Sequence, residues 1–302
     1  MQYIQDISIV FISILFEAFP FIMLGVVVSS IIHEFVPDDF IPKIMPKNPF
    51  LGALVGVVMG LFIPVCDCAV IPISRRLMKK GIPLNVGITF MLASPIINPI
   101  VIFATIYSFG TIIPEMVIYR SIIGVIIAII IGLIISIIHK KDEVFLIEES
   151  SKHSHSCACG CHHEHKKKKL SERLLNVVKH SKVEFFEIIK YLIIGSLIAS
   201  SAQVLIPKEI LNSFSGEGVI QIFILMIFAY LISLCSTSDS FVAKAFANQF
   251  SNNSILAFLL LGPMIDIKNT IVLLGNYNKK FVIKLIGLIF VFVFAFALIV
   301  NI

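Results

Sequence analysis

Charge is scarce in this chain. Of its 302 residues only 14% are Asp, Glu, Lys or Arg, while 58% are hydrophobic. A soluble protein of this length needs more polar residues to cover its surface. The scarcity is also clustered: Ile7–Phe16, Phe50–Val65 and Val117–Ile138 are nearly free of charge. About 20 apolar residues cross a bilayer. The composition therefore excludes a soluble globular domain and implies an all-α polytopic membrane helix bundle.

Other absences narrow the reading. No basic residue precedes Lys43, and no small-residue cleavage site follows the first apolar run. The first span is thus expected to stay as a helix and not to be removed as a signal peptide. No Gly-x₄-Gly-Lys-Ser/Thr sequence occurs, so this chain is not expected to hydrolyse ATP. No His-Glu-x-x-His or Gly-x-Ser-x-Gly occurs either, which leaves an intramembrane enzyme as a remote alternative and the chain is read as not an enzyme. The formal net charge of +5 comes with no nucleic-acid motif; most of its basic residues lie in loops. Six cysteines show no secreted disulfide framework, since three fall in one short loop and two are almost adjacent.

What is present reads as about eight spans: 7–33, 50–73, 84–109, 114–138, 185–206, 218–236, 254–275 and 281–301. Lys and Arg orient them. Arg75, Arg76, Lys79 and Lys80 lie between spans two and three, and ten more follow between spans four and five. The opposing loops carry Lys43, Lys47, Lys208, Lys279 and Lys280. By the positive-inside rule both termini and the central loop face the cytoplasm of a bacterial cell.

The central loop divides the chain into a first half (1–138), a Cys/His/Lys-rich loop (139–184) expected to be disordered, and a second half (185–302). The halves resemble each other. Glu17, Gly25 and Pro37 have the same spacing as Glu187, Gly195 and Pro207. "ASPIINP" (93–99) answers "LGPMIDI" (261–267), with Pro95 opposite Pro263 and Asn98 opposite Asp266. Punctuating residues match, and not only apolar ones, which points to a duplication.

"PVCDCAVIPISRR" (64–76) holds the densest chemistry. Pro64 and Pro72 each remove a helix donor, so 64–72 is expected to be a broken segment facing inward, as is "ASPIINP" with Ser94, Pro95 and Asn98. "CSTSDS" (235–240), with Cys235 and Asp239, and "GPMID", with Pro263 and Asp266, are their counterparts. Broken helices in two related halves are where transporters bind substrates. Asp67 must face a partner or water. Cys66 and Cys68 diverge by about 200° on a continuous helix but can reach one site on an unwound stretch. Thiols suit soft, thiophilic species. Glu17 and Glu187 read as markers of the cytoplasmic ends of their spans. Lys268 reads as an internal ion-pair partner of Asp266.

"PVCDCAVIPISRRLMKKGIPLNVGITFMLASPIINPIV", with "CSTSDSFVAKAF" and "GPMIDIKN", resembles the predicted-permease family labelled YraQ or ArsP. The resemblance covers the chain outside the central loop. It implies a polytopic bacterial inner-membrane permease. Some members of that family export trivalent methylated arsenicals through cysteines, which makes Cys66 and Cys68 the thiol candidates. Cys235 is a looser match because it stands alone. A permease exporting a small thiophilic solute is the leading expectation; a permease or sensor for zinc or copper is the alternative. The expected partners are membrane lipid and a small solute, not nucleic acid. A homo-oligomer and a partner membrane protein both stay open.

The loop sequence "HSHSCACGCHHEH" supplies His153, His155, Cys157, Cys159, Cys161, His162, His163 and His165. The Cys-x-Cys-x-Cys spacing is not that of a rigid zinc finger. Flexible thiols and imidazoles still capture zinc or copper(I). No cofactor is expected to be required, with zinc or copper at this loop as the candidate ligand.

Overall fold

The computed structural model describes residues 2–35, 45–46, 48–63, 66–110, 113–139, 144–145, 170–205, 218–247 and 249–300. Among them every named element is a helix. The first half holds α1 (Gln2–Phe35), α2 (Pro49–Phe62), α3 (Asp67–Lys79), α4 (Leu84–Ile97), α5 (Pro99–Phe109) and α6 (Pro114–Ile138). The second holds α7 (Leu170–Leu205), α8 (Val219–Ile232), α9 (Ser238–Phe246), α10 (Asn252–Met264), α11 (Ile267–Asn276) and α12 (Lys279–Ile299). The order of lengths repeats: one long helix, four short ones, one long helix. Pro37 and Pro207 of the matched spacing lie outside the described residues.

Among the described residues six stretches are long and apolar enough to cross a membrane: Tyr3–Ile31, Leu84–Phe109, Pro114–Ile138, Leu174–Leu205, Asn252–Asn276 and Lys279–Ile299. The other two expected spans are interrupted. Their apolar helices α2 and α8 have 14 residues each, or about 21 Å of rise, short of a ~30 Å hydrocarbon core. Each continues past a break into α3 or α9.

Local chemistry sets the helix starts. Asn48 and Asn98 each precede a proline, and their side chains accept from Phe50 N and Ile100 N at 3.0 Å. An Asn cap followed by Pro at the first helical position fills the helix start without losing a needed donor. Asp266 caps α11 in the same way by accepting from Asn269 N. The matched pair Asn98 and Asp266 thus does the same work in each half, restarting a broken helix.

The breaks differ in one respect from the sequence reading. The first interruption lies between Phe62 and Asp67; Pro64 is outside the described residues. Pro72, expected to belong to the break, sits inside α3. It removes only the one helical bond that would reach Cys68 O, and α3 is buried around it. Residues 170–184, grouped with the central loop although 170–187 also read as an amphipathic approach helix, are helical and continuous with the following span. Their amphipathic pattern lets them run on as helix without needing lipid on every face.

Helices α4 and α10 pack against each other at the centre. Every residue of α4 is buried, as are Ser254–Met264 of α10. Around them, α2 packs on α4 and α8 on α10, while α3 meets α11 and α5 meets α9 across the halves. The long helices α1 and α7 lie together over α3 and α11. Gly25 and Gly195 explain how they come so close. A Cβ at Gly25 would stand 2.6 Å from Ala69 Cβ on α3, and one at Gly195 would stand 3.1 Å from Lys268 Cα on α11.

Candidate functional site

The site forms where the breaks meet. Cys66 is extended, with φ −78° and ψ 168°, and α3 begins at the next residue. The two cysteines are therefore not both on a helix, and the ~200° divergence of a continuous helix does not apply. Cys66 and Cys68 line one cavity together with Cys235, which lies in the break between α8 and α9. Asp67, Glu17 and Lys268 line it as well, with Gln203 and Ser233. The cavity is narrow, with about 40 Å³ of space open to water-sized occupants.

The second break is held open by an unusual backbone. Ser233 has φ +55°, the single positive value among the described non-glycine residues. A side-chain-bearing residue in the left-handed region costs of order 1 kcal/mol or more. Its surroundings hold it there: Ser233 O accepts from Lys268 Nζ at 3.2 Å, and Ser233 Oγ accepts from Lys268 N at 3.4 Å. Lys268 Nζ also pairs with Asp266 at 3.6 Å. The ion pair expected from sequence is present, and it faces the thiol cavity.

Asp67 is buried and accepts a 2.8 Å hydrogen bond from Ser236 Oγ of the other half. Arg75 Nη1 donates to Asn276 Oδ1 at 3.3 Å. Cys235 Sγ lies 3.2 Å from Thr237 Oγ1. Glu17, read as a span marker, accepts from Ser238 Oγ at 3.2 Å at the same cavity. Nothing is described for the Glu187 side chain.

Arg120 was not singled out in the sequence. It is 1% exposed in the middle of α6. Its Nη1 donates to Thr105 Oγ1 and Ser240 Oγ, both at 2.7 Å, and its Nη2 donates to Ser236 O at 3.2 Å. It thus joins α5, α6 and the start of α9. The acidic group that acts on it most strongly is Asp239, whose Oδ2 is buried with no hydrogen-bond partner among the described residues and rests against Gly262. The signal was available: an arginine inside an otherwise apolar 25-residue helix must face protein, because lipid cannot solvate it.

The remaining predicted residues divide between roles. Pro95 and Pro263 line a second, smaller cavity that Asp67 also lines. Ser94 is buried beside Gly60, and its hydroxyl has no partner among the described residues. Asn98 and Asp266 cap helices. His153, His155, Cys157, Cys159, Cys161, His162, His163 and His165 lie outside the described residues. Among the described residues no three of His, Cys, Asp and Glu are placed to hold a metal ion.

Comparison with known proteins gives these arrangements a context. A family described as predicted permease, ArsP_1, matches residues 4–302. The UPF0718 protein YcgR of Bacillus subtilis is 41% identical over 296 residues, covering 98% of this chain and 97% of that protein. A Streptococcus mutans protein is 35% identical over 293 residues, covering 97% of this chain and 94% of that protein; its name describes a two-component membrane permease complex subunit. The UPF0718 protein YraQ of Escherichia coli is 25% identical over 77 residues, 26% of this chain and 22% of that protein. No solved structure matches.

Proposed function

The chain belongs to the ArsP_1 family of predicted permeases, and from that premise we propose that it exports a small thiophilic solute, such as a trivalent organoarsenical, across the bacterial cell membrane. It is a multi-pass membrane protein. The observation that carries the substrate class is the convergence of Cys66, Cys68 and Cys235, from both halves, on one cavity. Three polarizable sulfurs in one cleft favour a soft centre over a hard one. Breaks in both halves let the cavity open by rocking one set of half-helices against the other.

Accumulation of methylarsenite, arsenite, zinc and copper in cells with and without the protein tests this reading. Lower methylarsenite content in expressing cells is the expected result. Equal methylarsenite content with altered zinc or copper would replace it with the soft-metal reading, to which the Cys/His loop at 153–165 belongs. That loop is proposed to capture zinc or copper without being part of the path, and no cofactor is required for export. A partner membrane protein is part of the proposal, on the strength of the Streptococcus mutans relative's name. Copurification from membranes tests it, and a self-associated form would be seen in the same experiment.

A further inference from the structure

The smaller cavity has a composition that the thiol chemistry does not use. It lies between α3, α4, α10 and α11, and Asp67 is the one residue that lines both it and the thiol cavity. It has room for one water-sized occupant. Asn269 lines it, is 2% exposed, and keeps a buried Oδ1 with no hydrogen-bond partner among the described residues. An unpartnered buried acceptor is costly, so an occupant that engages its lone pairs is favoured.

The main chain adds to the same polarity. Pro95, on the cavity wall, removes the helical donor that Met91 O would have used, and Met91 is on that wall too. Pro95, Pro263 and Met264 stand in the last turns of α4 and α10. The C-terminal ends of helices carry the negative pole of the helix dipole. A carboxylate, an amide oxygen and a carbonyl without its helical donor therefore line one small, otherwise apolar space, where the C-termini of α4 and α10 meet the first turns of α3 and α11.

The charge count agrees. Three carboxylates, Asp67, Asp239 and Asp266, are buried near two cations, Arg120 and Lys268. Lys268 is paired with Asp266, and Asp239 is the acidic group that acts most strongly on Arg120. Asp67 has a serine hydroxyl as its named donor and no cation within ion-pair distance among the described residues. A buried carboxylate in this position is stabilised by a positive occupant.

We propose that Asp67, Asn269 and the main chain around Pro95 form a site for a small hard monovalent cation of the sodium class. Oxygen ligands suit such ions, and unwound backbone with half-helix C-termini is how transporters hold them. As a coupling site it rests on the permease reading: Asp67, shared by both cavities, makes cation occupancy and the state of the thiol cavity interdependent. Binding of the ion itself does not depend on which solute is carried.

Radioactive-sodium binding to the purified full chain, with no solute present and choline replacing sodium at constant ionic strength, tests the site. Saturable sodium binding is expected in the native chain. It is expected to be lost in Asp67→Asn and in Asn269→Leu. If Asp67→Asn does not fold, Asn269→Leu decides, because it removes an acceptor and no charge. Absence of saturable binding in the native chain, or its persistence in Asn269→Leu, overturns the proposal. Either outcome leaves the solute reading to be judged by cell accumulation.

Discussion

Ser236 donates a 2.8 Å hydrogen bond to Asp67, and its own carbonyl accepts from Arg120 Nη2 at 3.2 Å. One serine of the second half thus ties a carboxylate of α3 to a guanidinium of α6. Ser236→Ala removes only the first of these bonds. A hydrogen bond to a charged group contributes about 1.5–3 kcal/mol. The variant is expected to insert, to melt at lower temperature in detergent, and to transport more slowly. An unchanged melting temperature would show that the Asp67 bond is replaced at no cost.

Arg120→Met is expected to be far more damaging. It deprives Thr105, Ser240 and Ser236 of a shared donor and leaves Asp239 without the counter-charge that acts on it most strongly. Breaking a buried charge arrangement from one side costs about 3–5 kcal/mol. The expected outcome is loss of monodisperse protein in size-exclusion chromatography. Adding Asp239→Asn should restore part of the yield, since it removes the carboxylate that was left exposed to a low-dielectric interior. No recovery in the double variant would separate the two residues energetically.

The cysteines should be dispensable for folding and required for transport. Cys66→Ser together with Cys68→Ser replaces sulfur by an oxygen of nearly the same size. The protein is expected to fold, and methylarsenite export to be abolished. Cys235→Ser should reduce the same flux, because its sulfur lines the same cavity. Full export in the double variant, measured in reconstituted vesicles, would make Cys66 and Cys68 packing residues and end the soft-solute reading.

Deletion of residues 151–166 is expected to leave insertion intact and to lower zinc and copper binding by the purified protein. A reporter fused at Ser151 should be active in the cytoplasm, as the basic loops require. Collapse of expression on deletion would show that the loop supports the fold. Activity of the reporter outside the membrane would invert the topology.

Much of this protein is legible along the chain because its signals are local. The scarcity of charge implies the membrane, and unsatisfied backbone in lipid leaves helices as the means of crossing it. Asn-Pro at 48–49 and 98–99 and the capping Asp266 mark helix starts through bonds that span two or three residues. The spacing of Gly25 and Gly195 was visible as a repeat. Its meaning was not, since only packing shows each glycine under a neighbouring helix. Duplication alone would place α1 and α7 in equivalent positions. In the structure α1 packs on α3 and α7 on α11, side by side, and residues of both line the thiol cavity. Apolar residues face lipid and protein almost equally well, so an apolar stripe does not say which helix will cover it. That is why the chain alone makes the membrane helices legible and places Cys66, Asp67 and Cys68 at a break in one of them. The tertiary structure decided that Cys235 joins them, that Arg120 meets Ser236 and Ser240, and that Asp67 stands between two cavities, because each of those contacts is made between the halves.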